Sequence, residues 1–371
     1  MQFNSIPYML HSLHIKNFKS LKDFNVQSLN KVNLLVGMNN VGKSSILEAI
    51  DLYSSRFDLV HIIQMLSLRK EDMSAFAANP DITSEDEISA ILPFVTEGSL
   101  RLFVEEGISV GELGDELTAK LSRVFRKATD NGVELQRASY DAEIPDSTVA
   151  LVVENRDGKF MGMVASLDGG GLKSSFKKSD LPVYPVKLLP SRENPNEKEM
   201  LTEAWAGIAM SDLEPHVVKA LQIINPDITR FNIIGKDSVP CVSLLDAQGP
   251  VRLNSMGDGL NKILRIILAM LSCKDGILLI DEIENGLHYS VTDQLWELIF
   301  KVANQLNVQV IATTHSSDCV MSFIKSCDEG GQLIRVEADN SGLKSVQYEQ
   351  DEMKYIYSKM AESKKHYLDI R

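Results

Sequence analysis

Gly37-Met38-Asn39-Asn40-Val41-Gly42-Lys43-Ser44 fits the pattern G-x-x-x-x-G-K-[ST]. Residue types in that order suit a chain of phosphates. The glycines let successive backbone N–H groups turn inward around an anion, and a helix starting at the loop adds its positive end. The Lys43 ammonium is a point charge for β- and γ-phosphate oxygens, and Ser44 offers a hydroxyl to Mg2+. The candidate cradle is therefore Gly37, Asn39, Asn40, Val41, Gly42, Lys43, Ser44 and Ser45. A second motif, Ile277-Leu278-Leu279-Ile280-Asp281-Glu282, is an apolar run that ends in two acids. In that position Asp281 holds Mg2+ through its water shell, and Glu282 faces the γ-phosphate as general base or orients the attacking water. A third candidate is His315, just past the apolar run in Ile311-Ala312-Thr313-Thr314-His315-Ser316. A histidine there can donate to a γ-phosphate and register its loss. The fourth is Ser255-Met256-Gly257-Asp258-Gly259, before a helical pattern of Leu260, Ile263, Leu264, Ile267 and Leu268. Ser255, Gly257 and Gly259 at a helix start form another anion site. The P-loop already makes one phosphate site, so this one needs a phosphate from elsewhere.

These residues are useful only if elements carry them to one edge. Val32 to Val36 is a compact apolar run that stops at Gly37, and Ser45 to Tyr53 has helical periodicity, so a strand, a loop and a helix are predicted there. Leu13 and Ile15, and then Phe24 and Val26, alternate with polar neighbours as strands do. After residue 180 the pattern predicts strands over 183–189, 228–234, 239–245, 277–280 and 308–312. It predicts helices over 199–210, 215–224, 260–272 and 291–306. Alternation of apolar strands with helices implies an α/β sheet covered on both faces. The strong signals lie at the two ends of the chain. We expect one nucleotide-binding head formed by residues 1–53 and 180–330, split by an α+β insertion over 54–179, with a C-terminal strand and helix in 331–371 that could dock a partner.

The insertion is unevenly charged. Residues 80–118 hold ten acids against one base, Arg101, and the basic Lys120, Arg123, Arg126 and Lys127 follow. Strands are predicted at 149–153 and 160–165, with a turn at 155–158. Gly169-Gly170-Gly171, with Lys173, Lys177 and Lys178, reads as a loop.

The whole chain has 371 residues and a formal charge of −13, a poor balance for a general nucleic-acid coat, although a local basic groove could still form. No apolar run reaches the ~18 residues of a membrane span. Cys241, Cys273, Cys319 and Cys327 are widely spaced, with no CxxC pair. That argues against a zinc knuckle or disulfide scaffold and fits a reducing cytoplasm.

In their order, these motifs resemble the ABC-type ATPase heads of the SMC, RecF and OLD families. Leu13-His14-Ile15-Lys16-Asn17-Phe18-Lys19-Ser20-Leu21 is similar to their first strand and turn. Asn39 matches their G-x-N-x-x-G-K-S loop, and Ser255 to Gly259 looks like their signature loop. Asp281-Glu282 looks like their Walker B pair, Glu284-Asn285-Gly286-Leu287-His288 like their D-loop, and His315 like their switch histidine. The resemblance covers about residues 10–53 and 180–320. It is nearest to short bacterial AAA-type ATPases related to OLD proteins, found in phage defence and abortive infection. Leu189-Pro190-Ser191-Arg192 also looks like a segment of that group, without an assigned role. Two features depart from the pattern. No Q-loop glutamine is placed, because Gln64 falls too soon after the P-loop helix. The signature also contains an acid, Asp258, which must point away from a phosphate or cap the helix.

The resemblance implies a slow ATPase using ATP and Mg2+. It implies a homodimer, or a higher homo-oligomer, in which each signature loop closes over the γ-phosphate held by the partner's P-loop. It also implies a separate effector, a nuclease or toxin, controlled by the switch. OLD-type proteins often carry a Toprim nuclease after the head. Too little chain follows His315 for one, and the acids Glu337 and Asp339 there read as a solvated turn. The segment 352–371, with Tyr355, Tyr357 and Tyr367, reads as a charged amphipathic helix. The alternative reading is a RecF/SMC-like DNA-repair ATPase, for which Lys120, Arg123, Arg126, Lys127, Lys173, Lys177 and Lys178 would supply a groove. A transporter ATPase subunit fits less well.

Overall fold

The computed structural model describes residues 9–57, 61–62, 65–66, 91–129, 132–167, 185–191, 197–327, 329–339 and 342–363. Gln64, the glycine loop with Lys173, Lys177 and Lys178, Arg192 and Tyr367 lie outside the described residues.

In chain order, β1 (Leu13–Phe18) and β2 (Leu21–Val26) form a hairpin, and β3 (Val32–Val36) leads to α1 (Lys43–Ser54). After α2 (Leu100–Glu105) come β4 (Ile108–Glu112), β5 (Asp115–Thr129), β6 (Gly132–Ala138), β7 (Thr148–Asn155) and β8 (Phe160–Leu167). Next are β9 (Val186–Leu189), α3 (Glu197–Ile208), α4 (Glu214–Leu221), β10 (Ile228–Ile234), β11 (Val239–Leu244) and β12 (Val251–Arg252). The last run is α5 (Asp258–Ser272), β13 (Ile277–Ile280), α6 (Thr292–Leu306), β14 (Gln309–Thr313), α7 (Ser317–Ser326), β15 (Gly331–Asp339), β16 (Gly342–Tyr348) and α8 (Gln350–Ser363).

The central sheet has the order β16-β15-β3-β14-β13-β9. Its four pairings from β15 to β9 run parallel and the β15–β16 edge is antiparallel, which makes it a mixed sheet. Every residue of β3, β13 and β14 is buried. Because side chains alternate across a strand, each strand feeds two cores. Leu34, Leu278, Ile280, Val310, Ala312 and Leu333 face one core with Leu260, Ile263 and Leu264 of α5, Trp296 and Ile299 of α6, Phe323 of α7 and Met353 of α8. Leu35, Ile277, Leu279, Ile311, Ile334 and Val336 face the other, with Ile46, Leu47 and Ile50 of α1. Truncating one of these leucines or isoleucines to alanine would cost about 2–5 kcal/mol.

The second core is closed by an antiparallel sheet of order β2-β1-β4-β5-β7-β8, with β6 paired to β5. Residues expected in the insertion thus continue the sheet that β1 and β2 begin: Leu117, Ala119 and Leu121 of β5 share a core with Ile15, Phe24 and Ile50. The basic stretch Lys120 to Lys127 lies on β5. Lys120 pairs with Glu154 at 2.6 Å, and Arg123 donates to the Tyr140 carbonyl at 2.9 Å, while Arg126 and Lys127 are exposed. Glu337 and Asp339 sit on β15, where the sequence suggests a turn, and both pair with Lys344 on β16. No disulfide joins Cys241, Cys273, Cys319 and Cys327.

Candidate functional site

Parallel strands deliver their C-terminal ends to one edge, and that edge is where an α/β sheet binds ligands. β3 leads into Gly37, β13 into Asp281 and β9 into Pro190, and β14 ends at Thr313. Register aligns them, with Ile280 opposite both Ala312 and Leu189. The loop after β3 is shaped by positive φ angles at Gly37 (148°), Asn40 (62°) and Gly42 (84°). Gly37 is required for a second reason: a Cβ there would lie 2.3 Å from the Val336 carbonyl oxygen of β15. Gly42 is the N-cap of α1, so the N–H groups of its first turn open toward the loop.

Lys43 is 5% exposed, and its Nζ donates to the carbonyls of Gly37 and Met38, both at 2.8 Å. Burial lowers its pKa to about 8, against the pull of Asp281, Glu284 and Glu282. The Ser44 hydroxyl donates to Asp281 Oδ2 at 2.9 Å and Oδ1 at 3.1 Å, and Thr313 Oγ1 donates to Oδ1 at 2.7 Å. The Asp281 N–H reaches the Leu189 carbonyl at 2.9 Å. A hydroxyl and a carboxylate converging in this way are the hard oxygen donors that suit Mg2+.

Glu282 takes a left-handed conformation (φ 48°), which an L-residue other than Asn or Asp adopts only under constraint. Its N–H donates to Thr313 Oγ1 at 2.8 Å. Its carboxylate meets His315 Nε2 at 2.9 Å and accepts from the Asn285 side-chain amide. The His315 N–H in turn donates to Glu284 Oε1 at 2.7 Å. A carboxylate held in this way, beside a cation and a helix N-terminus, can take a proton from a water.

One cavity of about 880 Å³ collects these groups. Asn39, Asn40, Gly42, Lys43, Ser44, Ser45, Asp281, Glu282 and His315 line it. Gly37 does not line it but fixes the turn, and Val41 packs on the adjacent core. The lining also includes Ser20, Glu48, Pro190 and Ser191, to which sequence reasoning gave no role. The Leu189-Pro190-Ser191 segment could have been found from its place at the end of a strand. Thr313, which orients both Asp281 and Glu282, was visible only as a polar residue closing an apolar run.

Ser255, Gly257 and Gly259 do not line this cavity. They lie on a separate exposed turn. The Ser255 hydroxyl donates to the Arg252 carbonyl at 2.7 Å, Gly257 has φ 103°, and Asp258 opens α5 exposed to solvent. An acid in the first turn complements the helix dipole. Gly259 packs close to the D-loop, where a Cβ would lie 3.5 Å from the Gly286 carbonyl oxygen.

A glycine-lysine-serine loop after β3 and an acid pair after β13, joined in one cavity at the sheet's C-terminal edge, define a P-loop nucleoside triphosphatase. Two families match the chain: an AAA ATPase domain over residues 9–138, and, over residues 243–321, an AAA domain whose description cites the AbiEii toxin of a type IV toxin–antitoxin system. A Helicobacter pylori protein named ATP/GTP phosphatase is 24% identical over 349 residues, covering 88% of this chain and 89% of that protein. An uncharacterized Methanocaldococcus jannaschii protein, MJECL10, is 43% identical over 47 residues, which is 13% of this chain and 22% of that protein. Among solved structures, an SMC head bound to the C-terminal winged-helix domain of ScpA is 14% identical with a TM-score of 0.48, covering 94% of this chain and all of that one. The SMC head of Thermotoga maritima is 12% identical with a TM-score of 0.44, covering 92% and 100%. Both family matches are to AAA-type ATPase domains, and each covers only part of the chain. Among the described residues, no helix is long and apolar enough to cross a membrane.

Proposed function

We propose that the chain is an ATP-driven switch that closes as a homodimer around ATP and reopens on hydrolysis. The observation that carries this reading is the single cavity uniting Lys43, Ser44, Asp281, Glu282 and His315. ATP would lie along the P-loop, with its β- and γ-phosphate oxygens taking the Lys43 bonds now made to Gly37 and Met38. Ser44 and Asp281 would hold Mg2+, which when bound neutralises charge on the β- and γ-phosphates. Glu282 removes a proton from the attacking water as the new bond to the γ-phosphorus forms. The bond from that phosphorus to the β-phosphate oxygen breaks, and ADP and phosphate leave. His315 shares a hydrogen bond with Glu282 and donates to the γ-phosphate as it detaches. The name of the H. pylori relative supports hydrolysis of a nucleoside triphosphate.

The exposed Ser255–Gly259 turn supports the dimer. It presents a hydroxyl and a helix start to solvent, outside its own chain's cavity, where a second copy's γ-phosphate could meet it. Loss of that phosphate would release the pair, which makes the output conformational. We place the switch in cytoplasmic antiviral defence, acting on a separate effector such as a nuclease or toxin. The toxin–antitoxin description of the family over 243–321 and the OLD-like motif order support this role. Capture of a co-expressed neighbouring protein in the ATP-bound but not the ADP-bound state tests it. If the partner is instead duplex DNA, whose binding weakens steeply with salt, the DNA-clamp alternative holds.

A further inference from the structure

The reaction above does not use Lys262. This lysine sits on α5, the helix opened by the Ser255–Gly259 turn, and is 7% exposed. Burying an ammonium is costly unless it is paired. Its Nζ donates to the Glu282 carbonyl oxygen at 3.3 Å. Burial lowers its pKa to about 8, with Arg265 on the same helix pushing the same way; Glu284, Asp281 and Glu282 oppose them. The group therefore stays mostly cationic at neutral pH. Glu284, whose Oε2 is buried and without a hydrogen-bond partner, is the acid that draws most on the Lys262 charge.

The Glu282 backbone is thus held from both sides. Thr313 takes its N–H, while its carbonyl accepts from the Asn285 N–H at 3.0 Å and from Lys262 on the other side, and among them the residue keeps its left-handed φ of 48°. That conformation aims the carboxylate at His315 and the cavity. Such strain persists only where the surroundings over-determine it.

We propose that Lys262 is a positioning residue for hydrolysis: its ammonium, carried on the Ser255–Gly259 helix, clamps the Glu282 carbonyl and so sets the aim of the Glu282 carboxylate. The proposal rests on Glu282 being the base. Lys262 follows Asp258 by four residues, about 6 Å along the axis, so α5 connects the two as one rigid rod. If the turn seats on a partner's γ-phosphate, the same rod loads the clamp, and nucleotide in one site is felt by the base of the other.

The experiment compares kcat, KM, ATP affinity and ATP-dependent dimer formation in wild type, K262M, K262R and E282Q. K262M should lose about 30- to 100-fold in kcat, since a misplaced catalytic group costs up to about 100-fold, with KM and ATP affinity within about threefold. K262R, which keeps the cation, should recover at least about tenfold of that loss. A K262M kcat within about threefold of wild type, a loss of ATP affinity matching the loss of kcat, or a K262R no better than K262M would each overturn the clamp. If K262M does not fold, K262Q carries the same expectation. Near-wild-type turnover by E282Q would sink the base assignment and the clamp with it. Turnover by a wild-type monomer would sink the two-copy closure and the link between sites, while the K262M kcat would still decide the positioning role.

Discussion

Replacing Glu282 by glutamine removes one proton acceptor and almost nothing else. The carboxylate now meets His315 at 2.9 Å and the Asn285 amide. A glutamine can keep its oxygen on His315 and turn its NH2 toward Asn285, whose exposed side chain can turn its own oxygen to meet it. The opposite arrangement would place a proton on His315 Nδ1, which is buried and has no partner, at a cost of about 1–3 kcal/mol. The first arrangement wins, and the ground state should lose less than about 1 kcal/mol. Losing a general base removes about 10²- to 10⁴-fold in rate, or roughly 3–5 kcal/mol of barrier. The catalytic loss thus exceeds the structural one several times over. Phosphate release at saturating ATP and Mg2+ should fall by at least about 100-fold in E282Q. Melting temperature and ATP affinity should stay near wild type, and closed dimers should accumulate. Phosphate release within about tenfold of wild type, or a loss explained by weaker ATP binding, would refute the base assignment.

Lys43→Ala should weaken ATP binding by about 100-fold or more, through loss of charge-assisted bonds worth about 1.5–3 kcal/mol each, as a fluorescent-nucleotide titration would show. Gly37→Ala forces a Cβ onto the Val336 carbonyl at an unfavourable φ, so melting temperature and ATP binding should both fall, and calorimetry beside a nucleotide titration would detect this. Asp51, buried on α1, has its pKa raised from 3.8 to about 6, chiefly by burial, with Glu48 adding and His61 and Lys187 opposing. Its folded pKa lies above its unfolded one, so the folded state holds the extra proton and stability falls as pH rises from about 4 to 6. The full penalty, roughly 3 kcal/mol, is present at pH 7. Asp51→Asn should flatten that stretch of the stability–pH curve and raise stability at pH 7 relative to pH 4. An unchanged slope in urea melts would contradict it.

The elements that carry the cavity were legible because their signals are local. Val32 to Val36, Ile277 to Ile280 and the helical pattern after Ser255 each announce their type within a few residues, and the observed β3, β13 and α5 follow them closely. β5 was hidden. Leu117, Ala119 and Leu121 alternate inward, but both Leu121 and Ser122 are buried, which breaks the period, and the lysines and arginines between read as a charge run. Contacts between distant segments left no local trace. Nothing near Gly37 announces that β15 will pass 2.3 Å from its missing Cβ. Nothing in the apolar helix after Ser255 marks Lys262 as facing Glu282 rather than water. Thr313 and Ser191 gain meaning only when parallel register brings their strand ends together.

The central claim is that one copy's P-loop works with another copy's Ser255 turn, and mixing two disabled chains tests it most directly. Lys43→Ala removes the grip on ATP, and Ser255→Arg blocks the turn but leaves its own P-loop intact. Each should be inactive alone. An equimolar mixture should regain roughly a quarter of wild-type turnover, because half of the dimers that re-form at random are mixed and each contains one complete site. A mixture as inert as its components, although both variants fold and exchange partners, would contradict the account, as would full activity of Ser255→Arg by itself.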